Sequence, residues 1–352
     1  MERDHVQSTI RQYVGLDVSL KQTSICVIDE AGKIVWRGRR DSTPEAIAEA
    51  IKKHAPHAVR IGLESGQLST WLYHGLKERG LPVICIDARH AGAALSLKVN
   101  KTDDNDAEGI AQIIRVGWYR EVTVKGFDCQ AVRALLVARA QLVSQITTLK
   151  NCVRGILKTF GVVIRKVLRS QFPKHVREAI AADPVLAAII EPTLRVLEAA
   201  RAQLLFYDRA VIQRARRDET ARQLMSVPGV GAVVVLAYMT GVEDPMRFRK
   251  SSSVGAYFGM TPARYQSGEV DRAGRVSKCG DGMVRGLLFE AAKVLLSRSA
   301  RPCALQSWGR ALAERIGAKK ATMAVARKLA VLLHRMWSSG ARFRWPASAS
   351  AA

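Results

Sequence analysis

Short apolar runs broken by turn residues open the chain: QYVGLDV at 12–18, TSICVI at 23–28 and IVWRG at 34–38, separated by Ser19-Leu20-Lys21 and by Asp29-Glu30-Ala31-Gly32. Runs of this length with such connections predict a three-strand meander. The period then lengthens and shortens in turn. A helix is expected over 44–54, opened by the cap-like Ser42 or Thr43, then a strand over 58–63, a helix over 68–79 and a strand over 83–86. The order β-β-β-α-β-α-β-α predicts a mixed sheet with helices on its faces.

Beyond residue 120 the pattern is helical. Leu135, Leu142, Ile146, Leu149, Val153 and Ile156 recur at helical spacing over 130–159 with only Gly155 as an internal breaker, which predicts one long helix. A second is expected from Pro192 to about Met225, with a less regular basic segment containing Pro173 and Pro184 between them. Two such helices suggest an antiparallel hairpin or a coiled-coil arm between copies, a spacer in either case. A third region starts at Ser226-Val227-Pro228-Gly229-Val230-Gly231, and the Ala/Ser/Pro stretch at 346–352 is expected to be disordered. The expected class is therefore α/β + α: a mixed-sheet domain at 1–120, a long-helix region at 121–223, a mainly helical C-terminal domain at 224–345, and a tail.

Charge separates these regions. Of the 352 residues, 55 are basic and 31 acidic, giving a net charge of +24. Residues 1–120 hold 17 basic and 15 acidic side chains, whereas 121–352 hold 38 and 16, a net +22. Self-repulsion of that size points to a polyanionic partner, with nucleic acid first. The six cysteines (Cys26, Cys85, Cys129, Cys152, Cys279, Cys303) contain no CxxC pair, so neither a zinc site nor a disulfide framework is expected. No apolar run approaches the roughly 18 residues of a membrane span, and a cytoplasmic protein working with DNA is expected.

Candidate chemistry begins with carboxylates. Asp17 lies in the apolar run Val14-Gly15-Leu16-Asp17-Val18, where a buried charge needs a compensating cation. Glu64 ends the apolar run Ile61-Gly62-Leu63-Glu64, and Asp103 and Asp106, at i and i+3, project from one helix face. Four oxygen donors from two strand ends and one helix suit Mg²⁺, and a pair of ions about 4 Å apart suits phosphodiester chemistry. Read singly, each has a plainer explanation: a turn-forming Asp at a strand end, or a Thr102–Asp103 helix cap. Asp104 and Glu108 are alternative ligands that point to other faces, and Asp87 also ends a strand.

Tyr13 to Ile28 (YVGLDVSLKQTSICVI), the LES at 63–65 and KTDDNDA at 101–107 resemble the RuvC-like, RNase H-fold nuclease domain of the DEDD transposases of insertion-sequence family one-ten, the bridge-RNA-guided recombinases. On that resemblance Asp17, Glu64, Asp103 and Asp106 occupy the D-E-D-D positions, with Lys101 beside them as a nucleic-acid contact.

In the C-terminal half, Val227-Pro228-Gly229-Val230-Gly231 before an apolar helix has the pattern of a helix-hairpin-helix turn, whose amides meet phosphate, although a tight glycine turn without a ligand reads the same. The glycine-rich stretch from 248 to 290 spaces out Arg264, Arg272, Arg275, Lys278 and Arg285, one-sign charges suited to a phosphate chain. This block is similar to the second domain of the same family, with its TPxxxxSG core. The resemblance implies that Ser267 is the catalytic serine; Ser251, Ser252, Ser253 and Ser277 are local competitors, and Glu269 and Val270 depart from the usual form. It further implies a phosphoserine intermediate, strand exchange on donor and target DNA, a structured guide RNA, homo-oligomers and a nucleoid location. Competing readings are a junction-resolving nuclease without serine chemistry, an actin- or sugar-kinase-like ATPase suggested by the 15–29 hairpin, and a non-catalytic DNA-binding protein.

Overall fold

The computed structural model describes residues 11–96, 100–165, 168, 170–298 and 301–345; the expected disordered tail at 346–352 lies outside these. The chain divides into two compact units, Met1–Gly126 and Phe127–Ala352.

In the first unit, strands β1 (Gln12–Val18), β2 (Gln22–Asp29), β3 (Ile34–Asp41), β4 (Ala58–Glu64) and β5 (Val83–Ile86) form one sheet in the order β3-β2-β1-β4-β5. The meander β1-β2-β3 is antiparallel, while β1, β4 and β5 run parallel. Alternation decides the two faces. Leu16, Ile25 and Leu63 meet Ile47 and Ile51 of α1 (Pro44–His54) and Leu72 and Leu76 of α2 (Ser69–Glu78). Cys26 and Ile28 point the other way, towards Ala107 and Ala111 of α4 (Asp103–Val116), and α3 (Ala88–Leu95) packs beside α4. Burial on both faces explains why β1 and β2 read as nearly continuous apolar runs. This mixed sheet is consistent with an RNase H-like N-terminal domain.

The second unit is helical apart from one ribbon. α5 (Phe127–Thr159) and α7 (Pro184–Arg217) form an antiparallel hairpin, with Val153 and Leu157 against Leu186 and Ile190 near its far end, where Phe172 and Val176 of α6 (Phe172–Ala179) also pack. α7 starts eight residues earlier than expected. Asp183 caps it by accepting from Val185 N and Leu186 N at 3.1 and 2.9 Å, and Pro184 takes the first helical position, where a missing N–H costs nothing. Pro192 therefore sits inside the helix, where buried Ile190, Leu194 and Leu197 hold the turns on either side. The helix also stops at Arg217, and α8 (Glu219–Leu224) follows on a fresh cap by Asp218.

The roots of the long hairpin share a core with the remaining elements: α9 (Ala232–Val242), α10 (Ser253–Tyr257), α11 (Gly282–Arg298), α12 (Ala304–Ile316) and α13 (Ala318–Ser339). Val132, Leu136, Val211 and Ala215 join Tyr238, Phe258, Leu288, Leu329 and Leu333 in this core, so the expected division at 224 falls inside one packed body. Between α10 and α11 the glycine-rich stretch forms β6 (Pro262–Ser267) and β7 (Val270–Val276), an antiparallel pair exposed along nearly its whole length.

Candidate active site

The first unit places its acids by stacking two like triplets side by side. Gly15-Leu16-Asp17 on β1 pairs in register with Gly62-Leu63-Glu64 on β4, Gly15 opposite Gly62 and Leu16 opposite Leu63. Both leucines are fully buried under α1 and α2, so Asp17 and Glu64 project from the opposite face at the C-terminal edge of two neighbouring parallel strands.

Glycine on that face lets α4 come down onto the sheet. A Cβ on Gly15 would lie 2.0 Å from the Ala107 carbonyl oxygen and 2.5 Å from the Ala111 amide, and one on Gly62 would lie 2.8 Å from Ile114 Cγ2. Arg60, two residues before Gly62, donates to the Ile114 carbonyl at 3.0 Å, which fixes the far end of the helix. The Ala107, Ala111 and Ile114 contacts thus run α4 antiparallel to β1, and its first turn, with Asp103 and Asp106, arrives beside Asp17. Thr102 caps that turn by accepting from Asn105 N at 3.2 Å, and Gly117, in the left-handed region at φ 75°, ends the helix.

Electrostatics records the meeting. Burial, followed by the negative charges of Asp103 and Asp106, raises the Asp17 carboxyl to about 6. Burial, then Asp17 and Asp106, raises Glu64 to about 6 as well. Lys101 acts against both shifts as the nearby cation. Among the described residues none of the four acids makes a side-chain hydrogen bond or ion pair; Asp104 instead pairs with Arg39 at 3.2 Å and Glu108 pairs with Arg37. Asp87 is taken up by its own helix cap and Arg89, which hold its carboxyl below the usual range.

Asp17 and Glu64 open into a cavity of about 360 Å³ with Ser19, Ser65 and Gln67 on its wall, while Asp103 lines an adjoining one of about 390 Å³ with Lys21 and Arg39. Among the described residues no three Asp, Glu, His or Cys side chains stand close enough to hold a metal ion where they are. The donor set nevertheless suits one: four carboxylates, two of them partly desolvated, with mutual repulsion that a divalent cation would relieve. The packing glycines that set this distance carried a sequence signal, the repeated Gly-Leu-acid triplet.

Ser267 occupies a different setting. It ends β6, paired with Val270 across a two-residue turn whose Gly268 adopts φ 54°, and among the described residues its hydroxyl makes no hydrogen bond. The pleat puts Ser267 on the same face as Tyr265 and Arg272. On the other face Arg264 grips Asp271, with Nε to Oδ1 at 2.8 Å, and Arg275 extends from exposed β7. At the ribbon's root Lys278 adopts φ 54°, and Arg285 donates to the carbonyls of Phe258 and Cys279 at 3.0 and 3.1 Å, which makes it a clamp.

Of the competing serines, Ser251 bonds His334 Nδ1 at 2.9 Å, and the other ring nitrogen meets the Pro245 carbonyl at the same distance. Gly229, at φ 81°, backs onto the Ala291 carbonyl, where a Cβ would come within 2.5 Å, so its glycine answers to packing against α11. Gly231 precedes α9 with open space around it. None of the six cysteines forms a disulfide.

An RNase H-like sheet whose C-terminal edge carries acids defines the general class. Residues 14–161 match the profile of the DEDD type from IS110, described as "Transposase", and residues 221–308 match "Transposase IS116/IS110/IS902 family". Over 332 residues the chain is 29% identical to the transposase for insertion sequence element IS1111A of Coxiella burnetii, spanning 91% of this chain and 88% of that one. A probable family 20 transposase of Pseudomonas aeruginosa is 29% identical over 257 residues, 70% of this chain and 75% of its own. A putative transposase of Sinorhizobium fredii is 28% identical over 254 residues, 70% and 65% of the two chains. The two profiles describe one family and between them reach both units: the chain belongs to the IS110-family transposases of insertion sequences, which act on DNA and are generally metal-dependent. No described helix is long and apolar enough to cross a membrane.

Proposed function

We propose that this transposase cuts and rejoins DNA with Ser267 as the nucleophile, assisted by a Mg²⁺ site on Asp17, Glu64, Asp103 and Asp106. The observation that carries the reading is that Asp17 and Glu64 end neighbouring parallel strands and are both raised to about 6, by burial and then by negative charges that include Asp106 at the start of α4. Structural acids are normally paired with cations, as Asp104 and Glu108 are here. Four left to repel one another are the expected resting state of a cation site.

Bound there, Mg²⁺ would polarise a phosphodiester oxygen and stabilise the leaving oxygen. The chain's own contribution is positional: β1 and β4 fix two donors, and the first turn of α4 brings the other two. Lys101, beside them, offers a charge to the incoming backbone. Ser267, with Arg272 on its face, attacks a backbone phosphorus: the Oγ–P bond forms as the P–O bond to one deoxyribose breaks, that oxygen leaves as a hydroxyl with a proton exchanged through solvent for the serine's own, and attack by a second strand's hydroxyl on the phosphoserine rejoins DNA and frees the serine; Arg272, Arg275 and Lys278 steady the phosphates.

A structured guide RNA and assembly into homo-oligomers complete the proposal. The net charge of +22 over 121–352 supports the first. The second is supported by exposed Val185, Ile189, Val196 and Phe206 along one side of α7.

The test uses full-length protein with a junction-bearing DNA and Mg²⁺. Asp17→Asn loses strand chemistry by on the order of 10²–10³-fold. Ser267→Ala abolishes a denaturant-stable protein–DNA adduct. Continued cleavage by Ser267→Ala without an adduct would establish the metal-only nuclease instead, and unimpaired chemistry in Asp17→Asn would remove the carboxylate site.

A further inference from the structure

Within the second unit a groove of about 760 Å³ runs between α12 and α13, with Pro262 and Val276 at the root of the β6–β7 ribbon on one wall. Its two sides differ in chemistry. α13 contributes Lys320, Arg327, Lys328 and Arg335, all exposed, while Ala321, Val325, Leu329 and Leu333 of the same helix are buried in the core. Lys320, Arg327 and Arg335 recur every seven or eight residues, so they form a row with steps of about 11 Å along one side. Among the described residues Lys320, Arg327 and Arg335 make no ion pair, and no acidic side chain lines the groove.

The row is preset. The stem of Arg327 lies over Gly255 of α10, where a Cβ would come within 2.9 Å of Arg327 Cγ, so that glycine leaves room for the side chain. Lys328 Nζ sits 3.9 Å from the centre of the Trp308 ring, a cation–π contact on a residue still 36% exposed. Below lies an apolar floor that includes Met323 and Leu332.

A row of unpaired cations beside an aromatic and apolar wall matches one nucleic-acid strand, with phosphates on one side and an unstacked base on the other. A duplex keeps its bases inside and would set a charged rail against the apolar floor. An extended acidic peptide would find no side-chain amide, hydroxyl or carboxylate in the lining to satisfy its backbone. The lining offers cationic donors that phosphates occupy and no side-chain acceptor dedicated to a ribose 2′-hydroxyl, so a DNA strand forgoes no contact there that RNA would gain through its hydroxyl proton.

We infer that this groove holds an unpaired DNA strand, its phosphates along Lys320, Arg327 and Arg335 and one base against Trp308. From the reading above, the inference uses only that the chain handles DNA; it needs neither Ser267 nor the acidic edge.

The experiment titrates full-length protein with a single-stranded DNA oligonucleotide carrying 5-iodouracil, and maps photo-crosslinks by peptide mass spectrometry. Duplex DNA and RNA of the same sequence form the other arms. Crosslinks are expected on the peptides bearing Trp308 and Met323. Single-strand affinity should fall about 10-fold or more in Trp308→Ala and be largely restored in Trp308→Phe. In the triple variant Lys320→Gln/Arg327→Gln/Arg335→Gln, whose changes are all at the surface, the slope of log affinity against log salt should shrink by about 2, at about 0.7 per phosphate contact.

Crosslinks confined to other peptides, an unchanged slope in the triple variant, or RNA or duplex held in the groove as tightly as the single strand would each overturn the inference. Ser267→Ala and Asp17→Asn should crosslink like the parent chain, so failure of the proposed chemistry and failure of the groove are read separately.

Discussion

Asp17 and Glu64 follow residues that are fully buried, Leu16 and Leu63, whereas Ser267 ends a strand in which every residue is exposed. The acids inherit their positions from a core: the sheet register sets two of them, and a backbone contact between Gly15 and Ala107 sets the approach of the other two. The serine inherits its position only from a two-stranded ribbon and its root. Proposed chemistry can thus rest on packing in one unit and on a solvent-exposed arm in the other, and substitutions should separate the two.

The largest effect is expected at Gly15→Val. Its Cβ would meet the Ala107 carbonyl, a backbone atom that cannot turn aside, so α4 must lift from the sheet. Chemical denaturation should show a loss of about 3 kcal/mol or more, together with loss of Mg²⁺-dependent strand chemistry. Parent-like stability would mean that the helix does not rest on the strand.

Next comes Gly229→Ala, which meets both a left-handed φ of 81° and the Ala291 carbonyl, and should cost about 2 kcal/mol by the same measurement. Gly231→Ala, in open space at φ −98°, should leave stability unchanged. Equal effects would contradict the packing role given to Gly229 alone.

Asp17→Asn should stabilise the metal-free protein. Both acids are raised in the folded chain, so between about pH 4 and 6 the native state keeps protons that the unfolded chain has released, and stability falls as pH rises through that window. With allowance for solvent screening of these half-buried groups, the gain at pH 7.5 in chelator is on the order of 1 kcal/mol. Melting curves at pH 5 and 7.5 should also show a flatter pH dependence than in the parent, and adding Mg²⁺ should stabilise the parent more than the variant. The smallest effect belongs to the ribbon: Asp271→Ala breaks the Arg264 pair at the surface and should leave the melting temperature unchanged.

Where burial writes a period into the chain, the fold was legible. The strands of the meander follow from short apolar runs set between turn residues and the helix over 44–54 from its period and cap, and the Thr102 cap with Asp103 and Asp106 announces the start of α4. The start of α7 is hidden because Pro192 carries the same signal as a first-turn proline, while the decisive Asp183-Pro184 cap lies inside a segment without strong periodicity. The ribbon shows in the sequence only as a glycine-rich stretch, since strands exposed on both faces, such as Arg264-Tyr265-Gln266-Ser267, have no reason to alternate apolar with polar. Among the site residues, the acids could be named one by one, but the spacing that glycine sets between α4 and the sheet depends on neighbours distant in sequence.

A hydroxyl at the tip of an arm with no resident base or counter-charge bonded to it is chemically quiet. With Ser267 as the proposed nucleophile, such idleness would amount to a safety catch: reactivity would have to be conferred from outside the arm, once the right molecules had been brought together. A free copy diffusing through the cell would then carry its blade sheathed.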